Sequence, residues 1–266
     1  MVKIYEDPGL LREWEVRLMH ILVSNDDGIT APGIRALTRA LTEVAKVTVV
    51  APDRERSATG HAITVHHPLR VRPVKDFYGA DAFSVDGTPA DCVKIALEAL
   101  PIERPDLVIA GVNRGANLGT DVLYSGTVSA AIEGAILGFP AIAVSLADYR
   151  EDGYEAAANF AAYLASTWHR QNLPPDTLLN VNWPKGTPKD IKITSLGKRR
   201  YMNTFEKRHD PWGREYFWMS GEVVADPDEK SDVWAVKNGY VSLTPIHFDL
   251  TNYPLLSHVR DWNLKL

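Results

Sequence analysis

The sequence predicts an α/β fold: a doubly wound, mostly parallel sheet carrying a C-terminal β-hairpin extension. Three observations predict it. From Met19 to about residue 184, short apolar runs alternate with amphipathic stretches, and strand–helix–strand alternation at that spacing implies parallel pairing through right-handed crossovers. From about Lys185 the texture changes to interleaved aromatic and charged residues (KRRYMNTFEKRHDPWGREYFWMSGEV), with turn signals at Asp210-Pro211 and Gly213, which reads as long hairpins leaving the sheet. The composition, 45% hydrophobic and 24% charged over 266 residues, is that of a chain able to bury a core.

In chain order, HILVS at 20–24 is a buried strand leading into the turn-rich NDDGITAPG. Residues 33–44 place Ile34, Leu37, Leu41 and Val44 on one helical face. KVTVVA is a second strand, DRERSATG a polar loop, and 61–72 and 82–86 read as extended. GTPADCVKIALEAL starts a helix whose Pro89 suits a first turn. DLVIAGV is the next strand, then come the glycine-rich NRGANLG, a helix over 126–137, the strand PAIAVSL, a helix over 154–168 and the strand at 178–182. Asn238-Gly239 is a strong short hairpin cue. Residues 1–18 lack the apolar core of a secretory signal, carry acidic residues throughout, and are expected to be an appendage outside the fold. The expected organisation is therefore an appendage at 1–18, a core at 19–184, and a hairpin and C-terminal extension at 185–266. Exposed aromatic hairpins commonly close on another subunit, so a homo-oligomer is expected; the alternative is that they fold back on their own chain.

Several classes of function are disfavoured. The net charge of −5 argues against a broad nucleic-acid-binding surface, and no run approaches the apolar length of a membrane span. Cys92 is the only cysteine, so no internal disulfide forms and a reducing, cytoplasmic setting fits. No G-x-G-x-x-G comes after the first strand, no G-x-x-x-x-G-K-[ST] occurs, and no G-x-S-x-G elbow is present.

Ligands of open parallel sheets bind beyond the carboxyl ends of the strands, where strand order reverses. The segments at those strand ends are therefore the informative ones: Asn25-Asp26-Asp27-Gly28 after the first strand, Asp53 to His61 after the second, and Asn113 to Thr127 after DLVIAGV. All three are expected on one rim. Asp26 and Asp27 are adjacent like charges, for which a bound cation is the simplest remedy; the plainer reading is a solvated turn. With Ser57 and Asn113 they form an oxygen donor set suited to a hard ion such as Mg²⁺, Mn²⁺ or Ca²⁺. The loop around Gly115 and Gly119 is expected to bring backbone N–H groups to an anion, with Arg114 as a nearby cation. The helix opening at Ser125, Gly126 and Thr127 is expected to receive a phosphate, although Ser125 also suits a plain helix cap. His61 is either a proton donor at this site or a packed histidine.

The blocks ILVSNDDGITAPGI, VVAPDRERSATGHAIT, VDGTPADCVKIAL, GVNRGANLGTDVLYSGTVSAAIEGAILGFPAIAVS and GYVSLTPIHFDLT, in this order, closely resemble the stationary-phase survival protein SurE family. The resemblance runs from about Met19 to Thr251. It implies a Rossmann-like core with a C-terminal extension used in dimer or tetramer contacts, and a divalent-metal-dependent phosphatase acting on nucleoside 5′-monophosphates, with 3′-monophosphates also conceivable. It implies metal ligation by Asp26, Asp27, Ser57 and Asn113, with Mg²⁺ or Mn²⁺ as the ion. Asp26 is then the candidate to activate water, and Asn113, Ser125, Gly126 and Thr127 the candidates to hold phosphate. The alternatives are a broader acid or polyphosphate phosphatase, and a non-catalytic nucleotide-binding module.

Overall fold

The computed structural model describes residues 18–148, 153–168, 174, 176–202, 204–225, 228–262 and 264. Of the expected appendage at 1–18, all but Leu18 lies outside the described residues. Strand β1 (His20–Ser24) is buried along its whole length, as expected of a parallel strand covered on both faces. Helix α1 (Pro32–Thr42) opens on a proline whose fixed φ suits the first turn, and it buries Ile34, Leu37 and Leu41. It stops at Thr42, so Val44, which the spacing assigns to the same stripe, lies beyond the helix and is exposed. Strand β2 (Lys46–Pro52) then pairs in parallel with β1.

Strands β3 (Val71–Phe77) and β4 (Ala80–Val85) form an antiparallel pair, and β4 joins β2 in parallel. Of the extended stretch expected over 61–72, only the part from Val71 is strand. Helix α2 (Pro89–Glu98) is started by a reciprocal capping box between Thr88 and Asp91. Then come β5 (Leu107–Arg114), a short 3₁₀ turn (Gly119–Leu123), α3 (Gly126–Ile136), β6 (Ala141–Leu146), α4 (Tyr154–Trp168) and β7 (Leu178–Trp183). The parallel strands lie in the order β4-β2-β1-β5-β6-β7. The chain works outward from β1 in one direction, then crosses back and works outward from β5 in the other. Strand order therefore reverses between β1 and β5, the position at which such sheets bind ligands. One core packs α1 and α4 on one face of the sheet, and a second packs α2 and α3 on the other.

Beyond β7 lie β8 (Ile191–Ile193), β9 (Arg199–Met202), β10 (Phe205–His209), β11 (Glu215–Met219), β12 (Glu222–Ala225), α5 (Asp232–Lys237), β13 (Val241–Ile246) and α6 (Tyr253–Arg260). The pairs β9–β12 and β10–β11 are antiparallel and nested, one long hairpin. Phe205, Trp212, Phe217, Trp218 and Met219 on it are all more than half exposed, so these side chains do not fold back onto the described chain. By contrast β13 enters the main sheet antiparallel to β7 and carries β8 beside it. Asn238-Gly239 is not a hairpin turn. Asn238 caps α5 and Tyr240 N–H returns 2.9 Å to the Ala235 carbonyl, a helix-terminating arrangement that the same residue pair serves equally well. Among the described residues no helix is long and apolar enough to cross a membrane.

Candidate active site and cation centre

The turn after β1, the loop after β2 and the chain from β5 to α3 meet at the reversal point. Backbone bonds stitch them together: Ile29 N–H to the Pro52 carbonyl at 2.8 Å, Arg56 N–H to the Asp26 carbonyl at 2.7 Å, and Gly60 N–H to the Tyr124 carbonyl at 3.1 Å. Two bonds involve the carboxylates themselves. Arg114 N–H donates to Asp27 Oδ2 at 3.0 Å, and the Thr127 hydroxyl donates to Asp26 Oδ1.

The turn that presents the two carboxylates is fixed locally. Asn25 is fully buried and donates its side-chain amide 2.9 Å to the Gly28 carbonyl, closing the turn. Gly28 has φ +94°, and a Cβ there would stand 2.9 Å from the Arg54 carbonyl carbon, so this position admits only glycine without a shift of the adjoining loop. Asp26 is 4% exposed and lies against the opening of α3. A Cβ on Gly126 would sit 2.7 Å from Asp26 Cβ, so the missing side chain is what lets the carboxylate reach the helix.

Burial pushes the Asp26 carboxyl up to about 6, and the neighbouring Asp27 charge adds to that; the Thr127 hydroxyl and N–H pull the other way. Burial also raises Asp27, assisted by the Glu55 charge and opposed by the Arg114 N–H and guanidinium. Two adjacent carboxylates, both disfavoured as anions by desolvation, are stabilised by a cation brought between them. Among the described residues no three His, Cys, Asp or Glu side chains are grouped so as to hold a metal ion. A cation at this rim therefore depends on two carboxylates completed by neutral oxygens, a donor set that fits a hard divalent ion.

Three neutral groups lie within two residues, along the chain, of residues bonded to Asp26 or Asp27. Asn113 stands just past a register shift of β5 against β6 between Ala110 and Asn113, a bulge of the kind that re-aims a side chain. Its amide nitrogen donates 2.7 Å to the Gly115 carbonyl, which directs the amide oxygen elsewhere. Ser57 is exposed, adjoins Arg56, whose N–H is bonded to Asp26, and donates its own hydroxyl 2.7 Å to Glu55 Oε1. Ser125 is the N-cap of α3, accepting from Val128 N–H at 3.1 Å. The Gly115 and Gly119 N–H groups are not offered to a ligand. The first donates 2.9 Å to the Leu146 carbonyl and the second 2.8 Å to Asp232 Oδ2, because the sheet edge and α5 pack against this loop. Arg114 contributes its backbone N–H to Asp27.

His61 Nε2 lies 2.7 Å from Glu133 Oε2, and Lys94 Nζ lies 3.1 Å from Glu133 Oε1. That engages His61 with α3. Sequence reasoning passed over Glu133; the available signal was a lone carboxylate in the otherwise apolar GTVSAAIEGAIL. It also passed over a buried amide cluster. Asn117 N–H donates to Asn182 Oδ1 at 2.8 Å, its amide donates to Ser145 Oγ at 2.8 Å, and its carbonyl accepts from the amides of Asn180 and Asn182. The alternation in LLNVNW, which puts both asparagines on one strand face, was its signal.

The family model described as "Survival protein SurE" matches residues 21–203. The chain is 56% identical over 248 residues to a protein of Pelotomaculum thermopropionicum named 5′-nucleotidase SurE, covering 91% of this chain and 94% of that one. It is 54% identical over 250 residues to one of Heliobacterium modesticaldum with the same name, covering 92% of each. Among solved structures, a SurE protein from Aquifex aeolicus superposes with a TM-score of 0.80 at 42% identity, covering 92% of this chain and all of that one.

Proposed function

Because this chain belongs to the survival protein SurE family, we propose that it is a divalent-metal-dependent 5′-nucleotidase, hydrolysing nucleoside 5′-monophosphates to nucleoside and phosphate. The observation that carries this reading is the packing of the Asp26 carboxylate, beside Asp27, against the opening turn of α3. The opening turn of a helix favours an anion through its backbone N–H groups and dipole, and here the Thr127 N–H and hydroxyl already serve the Asp26 carboxylate.

Asp26, Asp27, Ser57 and Asn113 would hold Mg²⁺ or Mn²⁺. The bound ion supplies neutralisation of the phosphoryl oxygens and acidification of the attacking water. Asp26 would orient the attacking water and take its proton. Asn113, Ser125, Gly126 and Thr127 would hold the phosphate for in-line attack, and positioning is most of what phosphoryl transfer asks of a protein. We assign the chemistry to residues 19–184 and the contacts of a homodimer or homotetramer to residues 185–266, whose hairpin exposes Trp212, Phe217 and Trp218. The free, buried Cys92 suits a reducing cytoplasm.

The test is phosphate release from a panel of 5′- and 3′-nucleoside monophosphates, sugar phosphates and polyphosphate, with Mg²⁺, Mn²⁺ or chelator. The reading predicts release from 5′-monophosphates only with metal. Preference for polyphosphate would favour the broader phosphatase, and nucleotide binding without release would favour a binding module; either contradicts it.

A further inference from the structure

Glu133 stands in the middle of α3, 4% exposed, on a helix whose other buried positions are small or apolar. An apolar side chain would pack against α2 without desolvating a carboxylate, and buried ion pairs are often no more stabilising than the hydrophobic residues that replace them. What a carboxylate does here that an apolar residue would not is hold Lys94 of α2 at 3.1 Å and His61 at 2.7 Å, and of the two only His61 belongs to the loop after β2. His61 closes the loop that carries Ser57. The hydrogen bonds of His61 and Lys94 keep the Glu133 carboxyl below its usual range, His61 contributing most.

The loop has anchors on either side of His61, among them the Arg56 guanidinium, which donates 3.0 Å to the Asp86 carbonyl and pairs with Asp53 at 3.6 Å, and the Thr59 hydroxyl, which donates 3.0 Å to the Arg56 carbonyl. On the far side of His61 the chain is pinned to α2, with Thr64 N–H donating 2.9 Å to Asp91 and the Thr88 hydroxyl 2.7 Å to the Ala62 carbonyl. On the near side, Ser57 and Ala58 are exposed, and Ala58 has φ +55°, a conformation that an alanine adopts at a cost. Between these, the backbone bonds of Arg56 to Asp26 and of Gly60 to Tyr124 join the loop to the rim directly.

We propose that Glu133 is a positioning residue which, through His61, clasps the Ser57-bearing loop onto the rim, so that cation binding depends on a carboxylate that touches none of the four ligands. Its bearing on the cation rests on the metal reading above; the clasp itself does not. Lys94 is the internal control, since it also bonds Glu133 but belongs to α2 and leaves the loop alone.

The experiment compares full-length wild type with Glu133→Gln, His61→Gln and Lys94→Met. It reads hydrogen exchange of the Arg56 and Gly60 amides in chelator, then Mn²⁺ binding by calorimetry. Exchange at both amides is expected to be faster by about fivefold or more in Glu133→Gln and His61→Gln, and unchanged in Lys94→Met. Mn²⁺ is expected to bind about 10-fold more weakly to the first two, in line with the loss of a group that orients a ligand. Wild-type exchange in His61→Gln, or equal acceleration in Lys94→Met, would overturn the clasp, and His61→Gln decides the matter even if Glu133→Gln fails to fold. A wild type that binds no Mn²⁺ would instead overturn the cation reading, with the exchange data still judging the clasp.

Discussion

The Thr127 hydroxyl is donated to the Asp26 carboxylate, joining the first turn of α3 to the end of β1 across 101 residues of chain. That bond ties the proposed anion cradle to the proposed cation ligand. It also favours the charged form of Asp26 against the burial that disfavours it. Thr127→Val keeps the shape and removes the donor. The expected result is a fall in kcat/KM of about 10- to 100-fold, with a loss of stability of about 1–3 kcal/mol from the unsatisfied acceptor. Steady-state kinetics and denaturant melts measure both.

Gly126→Ala tests the close approach. The new Cβ would meet Asp26 Cβ at 2.7 Å and Oδ2 at 2.9 Å, with Pro89 Cγ at 3.1 Å. Relief requires Asp26 to move off the helix, so Mn²⁺ binding by calorimetry is expected to be lost, at a stability cost of about 1–3 kcal/mol.

The raised Asp26 carboxyl has consequences of a definite sign. In the metal-free protein the folded state holds the proton between about 6 and the ordinary 3.8, so the fold gains stability as pH falls through that window and is penalised above it. Asp26→Asn removes the penalty. It should abolish turnover while the metal-free variant melts at or above the wild-type temperature at pH 7.5, an effect on the order of 3 kcal/mol. A cation must displace that proton below pH 6, so Mn²⁺ affinity should drop about tenfold per pH unit there and be flat above pH 7. Calorimetry at pH 5, 6 and 7.5 reads this directly.

The hairpin makes a prediction of another kind. Trp212, Phe217 and Trp218 expose large apolar surface on a two-stranded arm, an arrangement that is marginal in water on its own. The joint change Phe217→Ser and Trp218→Ser is expected to convert the proposed oligomer to monomer in light scattering.

The parallel core was legible because each strand is a short apolar run and each helix has a 3.6-residue stripe; local chemistry and tertiary burial agree there. The rim was legible because Asp26, Asp27, Asn113 and Thr127 sit at strand ends or open a helix, so topology alone brings them together. Three features were not. The amides of Gly115 and Gly119 are taken by Leu146 and Asp232, the second lying 113 residues away, and such partners are set by tertiary packing alone. Asn238-Gly239 serves hairpins and helix ends alike, so the pair by itself cannot choose between them. Glu133 was hidden because one carboxylate in an apolar helix declares its burial but not its partner, which comes from the loop after β2.

The most direct test of a cation held at this rim is an anomalous difference map from crystals grown with Mn²⁺. A single strong peak is expected among the carboxylates of Asp26 and Asp27, the Ser57 hydroxyl and the Asn113 amide oxygen, next to the first turn of α3. A peak elsewhere, or none at a Mn²⁺ concentration that supports turnover, would contradict it.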